Sequence, residues 1–262
     1  MDEAPASAPR APLGERGRPF LIAQVRPEDA AADDEYAAIL DKGGLSERRA
    51  RRLRLDREPL PEPLDLDRFA GVIVGGGPGC VSDAEADKSP VERRMERAVL
   101  ALLEPVVAAD FPFLGCCYGI GALAHFLGAE VSKARHGEPV GASSCTLTAA
   151  GREDALCATL PDTFRAFVGH KEALQELPEG CAHLVASDPC PYQMIRHGRN
   201  VYATQFHPEA DAAGFETRIG VYRERGYFPA ADAERLIAMC RAEDVHAPER
   251  VLAAFVERYG TR

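Results

Sequence analysis

Apolar residues in this chain come in short unbroken runs separated by longer amphipathic stretches, the pattern of parallel strands alternating with helices. Pro19 to Val25 is a first strand. Ala30 to Leu40 follows as a helix with Tyr36, Ile39 and Leu40 at helical spacing, ending at Gly43-Gly44. Gly71 to Val74 is a second strand, and Ser89 to Ala108 a helix with Pro90 near its start and Met95, Val99, Leu102 and Leu103 along one face. Phe111 to Leu114 reads as a buried strand running into a helix over Tyr118 to Leu127. The later pieces Ala129 to Val131, Val140 to Leu147, Phe164 to Val168, His183 to Ala186 and Tyr192 to Ile195 are short and strand-like and suggest a largely antiparallel layer. Asn200 to Phe206 alternates as another strand, and the stretch 211–262 reads as helical. The expectation is an α/β fold with an open, mostly parallel central sheet flanked by helices and a smaller antiparallel layer. It forms one domain over 19–262, with 211–262 a helical C-terminal extension. Residues 1–18, rich in Ala, Pro, Arg and Gly without periodicity, read as a disordered tail.

Composition narrows the classes. At 262 residues with 46% hydrophobic content, the chain can bury one substantial core. A formal net charge of −10 disfavours nonspecific nucleic-acid binding, which needs clustered cations. No stretch has the apolar length of a membrane span, and the first residues lack the apolar centre of a signal peptide, so a cytoplasmic protein is expected. The dense basic run is Glu47 to Arg57. It reads first as a solvated helix or loop face and second as a docking surface for an acidic partner or a phosphorylated substrate. The eight cysteines show no C-x-x-C pair and no histidine at zinc-ligand spacing, so neither a metal nor a cofactor is expected.

The chemistry gathers at two places. Leu114-Gly-Cys-Cys-Tyr-Gly-Ile-Gly puts Cys117 at a strand-to-helix junction with Gly115 and Gly119 two residues to either side, the spacing of a nucleophile elbow. A helix starting there favours a thiolate and aims amides at an oxyanion. Cys116, off the centre of that spacing, reads as a packing residue. Far downstream, Gln205-Phe-His-Pro-Glu209 ends a strand with a histidine and a carboxylate held two apart by Pro208. His207 could take the thiol proton and Glu209 could orient the imidazole.

G-x-C-x-G followed by Q-F-H-P-E resembles the class I glutamine amidotransferases, in particular stand-alone relatives of the GMP synthase amidotransferase domain. The likeness runs from about Phe20 to Glu209, and includes Gly71 to Pro78, similar to the family's glycine-rich oxyanion turn, and Val168-Gly169-His170. The resemblance implies a flavodoxin-like sheet, a glutaminase half-reaction with Cys117 as nucleophile, His207 as base and Glu209 as its orienter, and oxyanion donors near Gly76, Gly77 and Tyr118. His170 would shape the substrate mouth, although a histidine in a polar turn also fits a surface position. Gln193 falls on a strand near the pocket. Glutamine or a related γ-glutamyl compound would be the substrate, and ammonia would pass to a synthetase or acceptor enzyme outside this chain. One position departs from the pattern: the family's substrate-holding glutamine is Gly121 here, so glutamine is held differently or another γ-glutamyl compound replaces it. The competing readings are a hydrolase of γ-glutamyl amides or peptides, and a non-catalytic regulatory subunit that binds its partner through the basic run.

Overall fold

In the computed structural model, which describes residues 17–225 and 228–261, the elements follow in the order β1 (Phe20–Gln24), α1 (Asp29–Gly43), β2 (Ala50–Arg54), β3 (Gly71–Val74), α2 (Pro90–Ala108), β4 (Phe113–Cys116) and α3 (Tyr118–Phe126). Then come β5 (Val131–Ser132), β6 (Glu138–Leu147), α4 (Ala149–Glu153), β7 (Thr163–His170), β8 (Ala173–Leu174), β9 (Cys181–Ser187), β10 (Met194–His197) and β11 (Val201–Thr204). Helices α5 (Ala212–Tyr222), α6 (Ala233–Arg241) and α7 (Glu249–Tyr259) complete the chain. The expected tail lies almost wholly outside the described residues.

Nine strands form one sheet in the order β2-β1-β3-β4-β11-β10-β9-β6-β7. The five from β2 to β11 are parallel, and β10, β9, β6 and β7 continue the same sheet in antiparallel fashion. The smaller antiparallel element is the pair β5 and β8.

The unbroken apolar strands are explained by burial on both faces. Along β1, Phe20 and Ile22 face a core shared with Ile39 of α1 and Val251, Leu252 and Phe255 of α7. Leu21 and Ala23 face the other core, filled by Met95, Val99 and Leu102 of α2 and Ile120 of α3. Helix α2 starts where its sequence says it should: Ser89 accepts from the Glu92 amide while Glu92 reaches back to the Ser89 amide, a capping box. A third cluster under α5 and α6 packs Phe215, Ile219 and Leu236 on Phe167 of β7.

The basic run is not mainly a solvated helix or loop face: a single 3-10 turn over Glu47–Arg49 leads into a strand. Its centre is β2, an edge strand paired in parallel with β1. Arg54 forks onto Asp56 and also reaches Asp29, Arg52 meets Asp33 and Gln24, and Arg49 is 1% exposed with its guanidinium on the Gly260 carbonyl. Alternation puts Arg52 and Arg54 on one face of the strand, where Asp33, Asp29 and Asp56 of the same chain meet them, and charge on an edge strand discourages further pairing. Much of the charge expected to await a partner is thus satisfied internally.

Candidate active site

Parallel pairing of β4 with β11 sets Cys116 beside Thr204, so Cys117 and the Gln205–Glu209 segment leave the sheet side by side at its carboxyl edge. That edge is where open α/β sheets form their crevices. The Cys117 amide donates to the Thr204 carbonyl at 2.7 Å, tying the two strand ends together. Cys117 adopts φ 51°, ψ −90°, in the left-handed half of conformational space that side chains avoid. Gly115 makes the turn possible: a Cβ there would sit 2.9 Å from the Gly119 carbonyl carbon. Cys116 is 1% exposed in the core below the sheet.

His207 Nδ1 lies 2.8 Å from Glu209 Oε1, and Arg218 Nη2 of α5 donates to the same oxygen at 2.8 Å. An ionised carboxylate only accepts, so Nδ1 carries the proton and Nε2 keeps its lone pair. Phe215 packs edge-on to the imidazole at 5.5 Å. Burial works against the ionised form of Glu209, but His207 and Arg218 overcome it and hold the carboxyl far below the usual range. Burial pulls His207 below its ordinary value, which keeps it a neutral base. Burial also pushes the Cys117 thiol up to about 12, with Arg26 and Arg218 pulling the other way. The resting pair is therefore thiol and neutral imidazole, and the thiolate forms by proton transfer to His207 on attack.

Cys117 sits between two small hollows. It shares the first, of about 40 Å³, with His207, Arg26, Phe215, Arg218 and Tyr222. It shares the second, of about 20 Å³, with Tyr118, Gly121, His170, Glu172 and Gln205, and Gly77 borders both. The Cys117 thiol and the His207 imidazole thus open onto one space.

The remaining expected residues divide. Tyr118 begins α3, where helical amides have no intrahelical acceptor, and it lines the second hollow. Gly76 is a correction: its amide donates to Glu35 Oε1 at 3.0 Å and so does not face an oxyanion. What position 76 supplies is room, since a Cβ there would stand 2.6 Å from His207 Cε1 and 2.8 Å from Arg26 Nη2. His170 is at the end of β7 and only 6% exposed, so the surface alternative does not hold. Its Nε2 meets Glu138 Oε2 at 3.0 Å and its Nδ1 meets the Glu172 carbonyl at 2.8 Å. Gln193, fully buried, donates to the same Glu138 oxygen at 2.6 Å. Ligand atoms of Glu138, His170 and Cys190 lie within 4.8 Å of one another, and in this arrangement the Glu138 carboxylate is already engaged by His170 and Gln193.

Three further side chains reach the site without a role assigned from sequence, Gln205 among them although it opens the Q-F-H-P-E motif. Arg26 pairs with Glu35 at 2.8 Å and donates to the Tyr222 hydroxyl at 3.1 Å beside the first hollow. Gln205 Nε2 approaches Cys117 Sγ at 3.9 Å. Arg218 completes a His–Glu–Arg chain. Glu35 and Arg218 each interrupt an otherwise small or apolar helical stripe, Ala31-Glu35-Ile39 and Phe215-Arg218-Ile219-Tyr222, and an ionic residue on a buried face is a readable sign of a partner.

Residues 45–219 match the family described as glutamine amidotransferase class-I. The chain belongs to that family, whose activity depends on a cysteine. It is 28% identical over 189 residues to a subunit of the glutamine-hydrolysing GMP synthase of Picrophilus torridus, covering 69% of this chain and 93% of that one. Against the GMP synthase of Thermosipho melanesiensis it is 31% identical over 149 residues, 56% of this chain but 26% of the relative, so it spans about a quarter of that enzyme's length. Among solved structures, a glutamine amidotransferase from Thermotoga maritima superposes with TM-score 0.72 at 22% identity, covering 94% of this chain and all of that one. One from Methylobacillus flagellatus gives 0.70 at 21% identity, covering 94% and 97%. No helix among the described residues is long and apolar enough to cross a membrane.

Proposed function

We propose that this chain cleaves the side-chain amide of glutamine through a thioester on Cys117 and releases ammonia for a synthetase or acceptor enzyme. The observation that carries the reading is the shared hollow, onto which the Cys117 thiol and an imidazole polarised by Glu209 both open. His207 takes the thiol proton as sulfur attacks the amide carbon. The Tyr118 amide, with the Gly77 peptide beside it, faces the developing oxyanion. His207 then protonates the departing amine, and water activated by the same imidazole releases glutamate. Arg218 keeps Glu209 ionised throughout, so the imidazolium formed in each half-reaction has a fixed counter-charge.

The relatives that are themselves single subunits, named for a glutamine-hydrolysing GMP synthase, favour a separate synthetase as the ammonia consumer. A reducing cytoplasm suits eight free thiols, seven of them buried. A larger γ-glutamyl amide is the second reading. It is favoured by the hollow on the imidazole side of the thiol, where a leaving group beyond ammonia would meet Phe215 and Tyr222.

The test is chemical. Glutamine incubated with the purified chain should yield glutamate and ammonia in equal amounts, and acid quenching should trap a glutamyl adduct on the peptide carrying Cys117. Hydroxylamine should divert that adduct to the γ-glutamyl hydroxamate. Neither turnover nor adduct from glutamine, set beside turnover of a larger γ-glutamyl amide, would transfer the assignment to the second reading; no adduct from either would reject both.

A further inference from the structure

A groove of about 500 Å³ lies on the α2 side of the sheet, with Leu21 of β1 and Leu53 of β2 as its floor. The hollows beside Cys117 hold about 40 and 20 Å³. Small-molecule sites take about 300 to 1,000 Å³, so the groove has that capacity and the hollows do not. It reaches Pro19, ahead of β1, and Phe69, ahead of β3, and so opens toward the amino end of the parallel strands, whereas Cys117 stands at their carboxyl edge. Its wall has a cause in the sequence. Pro59, Pro61 and Pro63 have no amide to donate, so the stretch after β2 cannot add itself to the free edge of that strand and passes over the sheet instead. Pro61 and Pro63 border the opening that results.

Alternation along β2 puts Arg51 and Leu53 on the face opposite Arg52 and Arg54, and the register sets Arg51 beside Leu21. Arg51 therefore stands in the groove, and Arg68 joins it from the turn before β3. Both are exposed, and among the described residues neither guanidinium has a hydrogen bond or an ion pair. Arg49, Arg52 and Arg54 of the same run each have an oxygen partner within the chain. The acidic residue lining the groove, Asp65, turns one oxygen to the Asp67 amide. Two unneutralised cations beside apolar surface, in a chain of net charge −10, favour an occupant that is both anionic and apolar.

We propose that this groove binds a small organic anion with an apolar body, its carboxylate, sulfonate or phosphate group held by Arg51 and Arg68 and its body laid on Leu21, Leu53 and Phe69. Burial of the body supplies the affinity, and the two arginines select the sign of charge. A second copy of the chain is a poorer occupant, because a two-fold axis along β2 would set one arginine-rich strand against another. The inference stands independently of the glutamine reading.

The probe is anilinonaphthalene sulfonate, an aromatic anion whose fluorescence rises when it leaves water, titrated into the full chain. Saturable enhancement with a dissociation constant below about 100 μM is expected for an apolar anion of that size. Arg51→Gln combined with Arg68→Gln should weaken binding about tenfold, through two partly exposed charge contacts. Arg51→Lys combined with Arg68→Lys should keep most of it. Arg152→Gln combined with Arg250→Gln, which removes the same charge outside the groove, should leave it unchanged. Decanoate should displace the probe, and decylammonium should not. No saturable binding, or binding that the glutamine pair at 51 and 68 leaves intact, overturns the assignment. So does a lysine pair as weak as that glutamine pair, or equal displacement by the two amphiphiles. An affinity that falls as protein concentration rises would put a second copy in the groove and overturn it as well.

Discussion

Arg218 and His207 share one oxygen: Nη2 of the arginine and Nδ1 of the histidine both lie 2.8 Å from Glu209 Oε1, a residue 0% exposed. The last member of the His–Glu–Arg chain is thus delivered by α5, beyond the strand that leads to His207, and the same helix packs Phe215 against the imidazole. A cation placed there holds the carboxylate ionised and also disfavours a charged imidazole at rest.

Replacing Arg218 by Met should therefore act on rate and on pH together. Loss of one charged hydrogen bond predicts a fall in kcat/KM of about 10- to 100-fold. Because Arg218 and burial both depress His207, its pKa rises in the variant, and the acid limb of the rate profile moves to higher pH. Ammonia release measured across pH checks both. A fall in rate without displacement of the limb would remove Arg218 from the electrostatics of the site.

Glu209→Gln leaves the Arg218 guanidinium buried beside a neutral amide and should cost about 3 to 5 kcal/mol at neutral pH. The folded-state pKa of Glu209 lies below its unfolded value, so its contribution is fully present above the unfolded value, about 4.3, and is lost as pH falls toward the folded one. Urea unfolding of both proteins should show a constant gap from neutral pH to about pH 5 and a narrowing gap below it. A gap that widens on acidification would contradict the ionised, paired state.

The two elbow glycines should not respond alike. Gly115→Ala drives a Cβ to 2.9 Å from the Gly119 backbone, and overpacking of that kind costs about 1 to 3 kcal/mol and displaces the thiol. Gly119→Ala places its Cβ 3.5 Å from the Val74 carbonyl, an ordinary contact, inside a helix that favours alanine by about 0.5 to 1 kcal/mol. Thermal unfolding with iodoacetamide labelling of Cys117 compares them. Equal damage in both would mean that the turn is held differently from this geometry.

What could be read from the chain follows physical lines. Long apolar runs bounded by caps were legible: α2 begins at its Ser89–Glu92 box, and β3, β4 and β11 fall within two residues of their expected ends. Strand β2 was hidden because arginines at nearly every position conceal the alternation, and only the acidic partners of α1 and the following turn explain it. In α1 the buried stripe is Ala31, Ala32, Glu35 and Ile39 rather than Tyr36, Ile39 and Leu40, since small residues let the helix lie close to the sheet and admit a carboxylate under Gly76. That Cys117, His207 and Glu209 come together could be expected from spacing, because all three follow closely on the ends of the neighbouring strands β4 and β11. Arg26 and Arg218 belong to no motif, because their partners Glu35 and Glu209 lie nine residues away, outside any strand or helix repeat, and only a charge on an otherwise buried stripe hints at them.

The central claim is that one of two adjacent sulfurs is the nucleophile, and Cys117→Ala set against Cys116→Ala tests it most directly. Ammonia release from glutamine and active-site labelling should vanish in Cys117→Ala and persist in Cys116→Ala, whose side chain lies in the core. Equal loss in both, or activity retained by Cys117→Ala, would contradict the account.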